Sequence, residues 1–178
     1  LPHSIRVIAA RVVDDAFHAR FSALSRAYVY KLWLGRQLRP DLLHSAGHLF
    51  APVGANPNIA AMQAALASLP VGTPTDYSSL RDAQCQSKNP VCTLTHARLE
   101  HTEPQLLTLH IGADHFLHHM VRNLVGTLAQ VGLGQREANL MPLITAQDRT
   151  LAGTTFSPNG LYLSHVVYPE PYALPVLE

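Results

Sequence analysis

Cysteines and long apolar runs are scarce in this chain, and their scarcity excludes several classes of protein. The two cysteines, Cys85 and Cys92, are too few for a disulfide framework or a four-cysteine zinc site, so reduced thiols are expected. No run approaches the roughly 18 apolar residues that a membrane helix needs, and no basic-then-apolar start marks a secretory signal. Hydrophobic residues make up 47% of the sequence, which argues against disorder and predicts a sizeable core.

The formal net charge of +1 hides an uneven distribution along the chain. Residues 1–40 carry seven Lys or Arg against two Asp, a local charge of +5, whereas residues 41–178 sum to −4. A local positive field attracts polyanions even when the net charge is near zero. On charge alone, both nucleic-acid binding and an ordinary solvated basic face remain open.

Hydrophobic periodicity predicts a series of strands and helices joined by short connections. Strands are predicted over 5–13, 24–34, 92–101, 106–113 and 161–168, and helices over 59–69, 116–131 and 142–153. Residues 74–90 show little periodicity and are predicted to form a long loop, of the kind that is usually functional or mobile. The pattern predicts an α+β fold, with a mostly antiparallel sheet and helices packed on one face.

The helix predicted over 116–131 places one cation, Arg122, among largely apolar neighbours. A guanidinium does not lose its proton, so a buried one needs an anionic partner. No Asp or Glu lies three or four residues from Arg122, so its partner must come from another element, a ligand or solvent. The alternatives from the residues alone are an arginine that reaches the surface and one that pairs with Asp114 or another carboxylate.

Three histidines near the start of this helix suggest a competing interpretation. His115, His118 and His119 have the spacings of three and four that metal-binding helices use. A catalytic zinc site usually adds a carboxylate base, and the residues between these histidines contain none. A histidine-dependent metal hydrolase therefore stays an alternative to histidines that cap the helix or make ordinary hydrogen bonds.

Five short segments carry the most specific signal. They are Phe17-His18-Ala19-Arg20-Phe21-Ser22-Ala23, Arg26-Ala27-Tyr28-Val29-Tyr30, Gln84-Cys85-Gln86-Ser87, His118-His119-Met120-Val121-Arg122-Asn123 and Gly160-Leu161-Tyr162-Leu163. Together, in order and spacing, they resemble the tRNA pseudouridine synthase A (TruA) family, over a region from Val12 to Pro169. The resemblance implies that the α+β fold is one pseudouridine-synthase-like half.

Enzymes of this type break the bond between ribose C1′ and uracil N1, turn the base, and rejoin C1′ to C5, with one aspartate as nucleophile. The resemblance therefore implies an isomerase that acts on positions 38–40 of the tRNA anticodon stem-loop. It also implies that no metal and no organic cofactor is needed. A cytoplasmic protein is implied, with tRNA as its partner, no membrane partner, and a homodimer in its complete form.

The resemblance also implies roles for individual residues. Tyr28 matches the tyrosine that packs against the target base and has been considered for removal of the C5 proton, and Leu161 matches an apolar wall of the uracil pocket. Arg122 matches the basic residue that pairs with the catalytic aspartate. The implied RNA-contacting residues are Phe17, His18, Ala19, Arg20, Phe21, Gln84, Cys85, Gln86, Ser87 and Lys88.

The family's aspartate motif, Gly-Arg-Thr-Asp-Ala-Gly-Val-His, is absent, and none of the seven aspartates lies in such a setting. With its start at Leu1-Pro2, the chain is expected to be a fragment: residues 1–178 as the single C-terminal catalytic domain, without the N-terminal domain that carries the nucleophile. We expect it to be inactive alone, with Arg122 lacking its native carboxylate. The alternative is a non-catalytic RNA-binding module that uses the basic residues 1–40.

Overall fold

The computed structural model describes residues 1–37 and 39–173. Its strands are β1 (Ser25–Trp33), β2 (Gly47–His48), β3 (Thr75–Asp76), β4 (Val91–Cys92), β5 (Leu94–Glu103), β6 (Leu106–Ala113) and β7 (Leu161–Val167). Its α-helices are α1 (Ile59–Ala67), α2 (Met120–Gly132) and α3 (Met141–Ala146). None of the helices in these ranges is long and apolar enough to cross a membrane.

The sheet is built around β1, which pairs on both edges. The strand order is β2-β1-β6-β5, and β7 joins the same edge of β1 as β2. The β1–β2 pair is parallel, and the pairs that β1 makes with β6 and β7, and β5 makes with β6, are antiparallel. The short strands β3 and β4 form a separate antiparallel pair.

Alternation along β1 decides what each face of the sheet carries. Tyr28 and Tyr30 lie opposite Ile111 and Leu109 of β6, so these four side chains share one face. That face packs against the helices in one core. The core includes Tyr30, Leu32, Leu107, Leu109 and Ile111 of the sheet, Met62 and Leu66 of α1, Leu124 and Leu128 of α2, and Leu143 and Ile144 of α3. The predicted α+β class is confirmed.

The strand predicted over residues 5–13 is wrong: these residues form no strand, and all of them are exposed. Their apolar, β-branched composition suits a strand, but a strand also needs a neighbour for its backbone hydrogen bonds. Within the described ranges, no sheet edge pairs with them. Ile5 and Val12 are 53% and 96% exposed as a result.

Two predicted helices are shorter than expected. The helix predicted over 116–131 begins only at Met120, because His119 has a left-handed backbone conformation, with φ 59°. The helix predicted over 142–153 ends at Ala146, where Gln147 is also left-handed, with φ 54°. A left-handed residue cannot continue a right-handed α-helix, and the 3₁₀ turn Arg149–Leu151 accounts for the remaining helical pattern.

The predicted loop 74–90 and the strand predicted from Cys92 also need correction. The loop contains β3 and the 3₁₀ turn Ser78–Leu80. Val91 and Cys92 pair with β3 instead of continuing into β5, which begins at Leu94. These two-residue pairings leave too little alternation to be seen in the sequence.

A buried polar network fixes α2 against the segment that leads to β7. Asn123 is fully buried, and its Nδ2 donates to the carbonyl of Leu80 at 2.7 Å. Its Oδ1 accepts from Arg149 Nη2 at 3.0 Å and from Thr155 Oγ1 at 2.7 Å. Thr127 Oγ1 accepts from the N–H of Gly153 at 3.0 Å. Each buried polar group here has a partner, so the network can hold one arrangement of these segments.

Replacing Asn123 with Ala should lower the free energy of unfolding by about 2–4 kcal/mol, because it leaves buried donors and a carbonyl without partners. Urea denaturation of the parent and variant chains measures this change. Asn56→Ala is the matched control, since Asn56 is exposed. It should shift the free energy by less than about 0.5 kcal/mol. Equal effects of the two substitutions would contradict the importance of the network.

Candidate functional site

A cleft of about 1050 Å³ lies where β1, the start of β7 and the start of α2 meet two loops. Of the residues singled out in the sequence, its lining contains Arg20, Phe21, Tyr28, Gln84, Cys85, Gln86, Ser87, Arg122 and Leu161. Phe17, His18, Ala19 and Lys88 are not among its lining residues. Four segments distant in sequence thus contribute to one site.

Tyr28 is half-buried on β1 and reaches the cleft from the helix-facing side of the sheet. Its ring and that of Phe116 make a T-shaped contact, with centroids 5.1 Å apart and an interplanar angle of 87°. The pairing of β1 with β7 shifts register between Ala27 and Tyr28, as a β-bulge does. Phe116 and the bulge together set the orientation of the Tyr28 ring.

Arg122 lies in the first turn of α2, and its guanidinium is anchored by its inner nitrogen. Nε donates to the carbonyl of Phe156 at 2.7 Å, and the N–H of Phe156 donates to the carbonyl of Arg122 at 3.2 Å. Among the described residues, no carboxylate lies within 4.0 Å of the guanidinium, and Asp114 pairs with His115 instead. The terminal nitrogens therefore remain able to take an anionic partner.

Leu161 starts β7, and a glycine brings it close to β1. Gly160 has φ +94°, and a Cβ at this position would lie 2.4 Å from the carbonyl oxygen of Lys31 and 2.7 Å from the N–H nitrogen of Gly47. The N–H of Lys31 donates to the carbonyl of Gly160 at 2.9 Å. Only glycine tolerates both this backbone conformation and this close approach, so Gly160 sets where Leu161 enters the cleft.

The segment 17–21 is a turn in which some residues stabilise the turn and others line the cleft. His18 Nδ1 accepts from the N–H groups of Arg20 and Phe21, at 3.1 and 3.3 Å. Phe17 packs against the rings of Tyr168 and Tyr172, and the Tyr168 hydroxyl donates to the carbonyl of Ala19 at 2.7 Å. Phe17, His18 and Ala19 thus hold the turn, which presents Arg20 and Phe21 to the cleft.

The loop 84–87 also lines the cleft, and hydrogen bonds between side chains and backbone groups hold it there. Arg81 Nη2 donates to the carbonyl of Cys85 at 3.0 Å and also to that of Ser87. The Sγ of Cys85 accepts from the N–H of His118 at 3.3 Å, which ties the loop to the approach to α2. Lys88 follows as an exposed residue.

Some residues of the cleft had no role in the sequence interpretation. Arg26 donates to the carbonyls of Arg20 and Asp114, the latter at 2.9 Å, and so bridges two walls. Phe116 supports the Tyr28 ring. Arg26 lies two residues before Tyr28 on β1, but its partners are 6 and 88 residues away in sequence, and the strand pattern does not predict such contacts.

The three histidines do not form one site. His115 pairs with Asp114, and its Nε2 lies 3.5 Å from the Sγ of Cys92. His118 and His119 face Asp82, whose pKa is lowered by the backbone N–H of Gln84 and by His119. Asp82 was not singled out in the sequence, because it lies more than thirty residues before the histidines that it contacts.

Cys92, His115 and Asp114 contact one another in turn and have the residue types of a nucleophilic triad. The thiol of Cys92, however, cannot act as a nucleophile. Cys92 is fully buried, and burial, with Asp114 nearby, raises its pKa to about 12. The reactive species is the thiolate, which is scarce at neutral pH for such a group. The partly exposed thiol is Cys85: burial alone would raise its pKa, but hydrogen bonds from the His118 and Ser87 N–H groups and from Arg81 lower it below the usual value.

Comparison with known proteins shows which family the chain belongs to. Residues 70–169 match the family model described as tRNA pseudouridine synthase. The chain is 46% identical over 181 residues to tRNA pseudouridine synthase A of Bordetella avium (strain 197N), covering 100% of the chain and 64% of that protein. It is 44% identical over 179 residues to tRNA pseudouridine synthase A of Cupriavidus pinatubonensis, covering 100% of the chain and 64% of that protein.

The chain therefore belongs to the tRNA pseudouridine synthase family. The similarity extends to tRNA pseudouridine synthase A of Shewanella sp. (strain MR-4), at 41% identity over 179 residues, with 99% of the chain and 66% of that protein covered. The chain spans about 64% of the length of the Bordetella avium and Cupriavidus relatives.

The two thiols should differ strongly in reactivity. At pH 8, alkylation with iodoacetamide should modify Cys85 at least about 100-fold faster than Cys92, because a thiol with a pKa of about 12 is almost entirely protonated there. Mass spectrometry of tryptic peptides measures both rates. In urea, the two rates should converge, and a native Cys92 that reacts as fast as Cys85 would contradict the buried position.

Proposed function

We propose that this chain is the part of a tRNA pseudouridine synthase that holds the target uridine. The observation that carries the proposal is that Tyr28, Arg122 and Leu161, from three separate segments, line one cleft. A base in a stem must leave the stack before its C1′ and C5 can be reached. Packing on an aromatic ring recovers about 1–3 kcal/mol per base, which is the role proposed for Tyr28, with Leu161 as the apolar wall.

Arg122 would orient the nucleophile. Its Nε is used by the Phe156 carbonyl, which leaves the two terminal nitrogens to form a paired contact with a carboxylate. A guanidinium beside a carboxylate favours the ionised form, which is the form that attacks C1′. This arrangement supports the role of Arg122 as the partner of a catalytic aspartate.

The nucleophilic aspartate would come from polypeptide outside the 178-residue sequence, because no Gly-Arg-Thr-Asp segment occurs within it. The greater length of the relatives is consistent with this source. We therefore propose that residues 1–178 act as a C-terminal catalytic domain and that the chain alone is inactive. The complete protein is proposed to be a cytoplasmic homodimer that needs no cofactor.

The substrate is proposed to be tRNA, at positions 38–40 of the anticodon stem-loop. Arg20 and Lys88 would meet phosphates, and Gln84, Gln86 and Ser87 would donate to phosphate or sugar oxygens. Arg20, Gln84, Gln86 and Ser87 line the same cleft as Tyr28, which supports a path for the RNA strand past that ring. Such contacts position the backbone and read little sequence, which suits an enzyme with neighbouring target positions.

The test joins to this chain the parts of the Bordetella avium relative that it does not cover. Rejoining C1′ to C5 releases the C5 proton, so tritium release from tRNA that carries [5-³H]uridine measures turnover. The chain alone should release none, and the joined protein should release tritium. Arg122→Ala in the joined protein should reduce turnover by about 10²-fold, because the carboxylate loses its charged partner.

The control for Arg122→Ala is Arg98→Ala, since Arg98 is exposed on β5 and outside the cleft. It should leave turnover within about twofold. Turnover by residues 1–178 alone would contradict the proposed source of the nucleophile. If tRNA binds but the joined protein releases no tritium, the alternative of a non-catalytic RNA-binding module is favoured.

Tyr28 allows stacking and proton removal to be separated in the joined protein. Tyr28→Ala should weaken tRNA binding by about 1–3 kcal/mol, whereas Tyr28→Phe keeps the ring and should keep the affinity. If the hydroxyl takes part in removing the C5 proton, Tyr28→Phe should also lower turnover about 10²-fold or more. Filter binding and tritium release measure the two effects, and unchanged binding in Tyr28→Ala would contradict the stacking role.

A further inference from the structure

Asp82, His118 and His119 form a compact cluster of metal-ligating side chains at the wall of the cleft. One ligand atom from each lies within 4.8 Å of the others. His119 Nδ1 is 2.9 Å from Asp82 Oδ2, and His118 Nδ1 is 3.7 Å from Asp82 Oδ1. The two imidazoles are stacked, with centroids 3.8 Å apart and an interplanar angle of 26°. Both rings therefore present the same nitrogen to one carboxylate.

These separations suit a four-coordinate metal. Zinc bonds to imidazole nitrogen and carboxylate oxygen are about 2.0–2.1 Å, so two such ligands in a tetrahedral arrangement are about 3.4 Å apart. The observed nitrogen–oxygen distances of 2.9 and 3.7 Å lie on either side of this value. The two rings are stacked, so binding of one ion requires them to rotate until both Nδ1 lone pairs point at the metal, with release of the proton of the His119–Asp82 hydrogen bond.

The backbone holds the three ligands in place. The Asp82 N–H donates to the His118 carbonyl at 3.1 Å, and Asp82 Oδ1 accepts from the N–H of Gln84 at 2.8 Å. His119 has φ 59°, a conformation that non-glycine residues adopt uncommonly. The cluster is thus tied to the cleft loop and to the start of α2 at once.

The second cluster, Cys92, Asp114 and His115, is arranged differently. His115 directs Nδ1 to Asp114 and Nε2 to Cys92, so its two nitrogens point at different partners. Asp114 Oδ1 also accepts from two backbone N–H groups, those of Thr93 and His115. A metal takes one nitrogen of an imidazole, and the two other ligands of this cluster lie beside different nitrogens of His115, whereas Asp82 lies beside Nδ1 of both His118 and His119.

We propose that Asp82, His118 and His119 bind one divalent transition-metal ion of the zinc class. His118 and His119 line the cleft, so the fourth coordination position of an ion bound by both is proposed to open toward it. Water or a phosphate oxygen is the ligand that this position would take. Two neutral imidazoles and one carboxylate leave a bound dication with a net charge of about +1, which adds to the positive charge of the cleft. The proposal does not depend on the proposed isomerase activity.

The test is a zinc titration of the tag-free chain by calorimetry, together with the visible spectrum of its cobalt(II) form. We expect one equivalent of zinc to bind, and cobalt to give the intense absorption of a tetrahedral site. Asp82→Asn and His119→Asn should each weaken binding by at least about 100-fold. Asparagine is chosen at position 119 because it accepts the left-handed backbone conformation.

Two variants serve as controls. His165→Asn removes an exposed histidine of β7, and His115→Asn removes the histidine of the second cluster. Both should leave the zinc affinity within about twofold. Circular dichroism checks that each variant is folded. If His119→Asn is unfolded, the zinc affinity of Asp82→Asn alone tests the proposal. The proposal is overturned if the parent chain binds no stoichiometric zinc, if Asp82→Asn binds as the parent does, or if His115→Asn abolishes binding.

Discussion

The pair of hydrogen bonds between Arg122 and Phe156 is the contact on which the cleft depends. It joins the first turn of α2 to the segment before β7, in both directions: guanidinium to carbonyl and N–H to carbonyl. The same segment continues to Gly160 and Leu161, so the position of the Leu161 wall follows from it. A side chain that is anchored by Nε keeps its terminal nitrogens oriented without a carboxylate nearby, which avoids the entropy that a free arginine would lose on binding.

Behind Arg122, the buried network centred on Asn123 keeps the same two segments together. Gly126 and Gly153 pack backbone to backbone beside it, since a Cβ on Gly153 would lie 2.5 Å from the carbonyl carbon of Gly126. Close backbone packing and fully paired polar groups leave few alternative arrangements. The rigid side of the cleft is therefore α2 with residues 149–157, while the turn 17–21 and the loop 84–87 complete it through contacts of their own.

The proposed source of the nucleophile, outside residues 1–178, would explain why an arginine lies in this place without a carboxylate partner among the described residues. Within the described ranges, the Arg122 guanidinium has no carboxylate to pair with, and its partial exposure to the cleft limits the desolvation cost of leaving it unpaired. In the proposed complete enzyme, an incoming aspartate would meet a guanidinium already in position. The exposed, mostly apolar residues 5–13 pair with no sheet edge in the described part of the chain, so the structure assigns them no role.

Local patterns determined much of the secondary structure, because alternation and helical periodicity depend on neighbours in sequence. They predicted β1, β6, β7, α1 and most of α2, and the ordered motifs indicated the family. They failed over residues 5–13, because a strand also requires a partner strand. They also placed the start of α2 too early, because the left-handed backbone of His119 prevents the helix from including residues before Met120. The tertiary structure alone decided that Tyr28, Arg122 and Leu161 share a cleft and that Asp82 faces His118 and His119. Such contacts join residues tens of positions apart, and their geometry depends on how the sheet and helices pack, which no local pattern records.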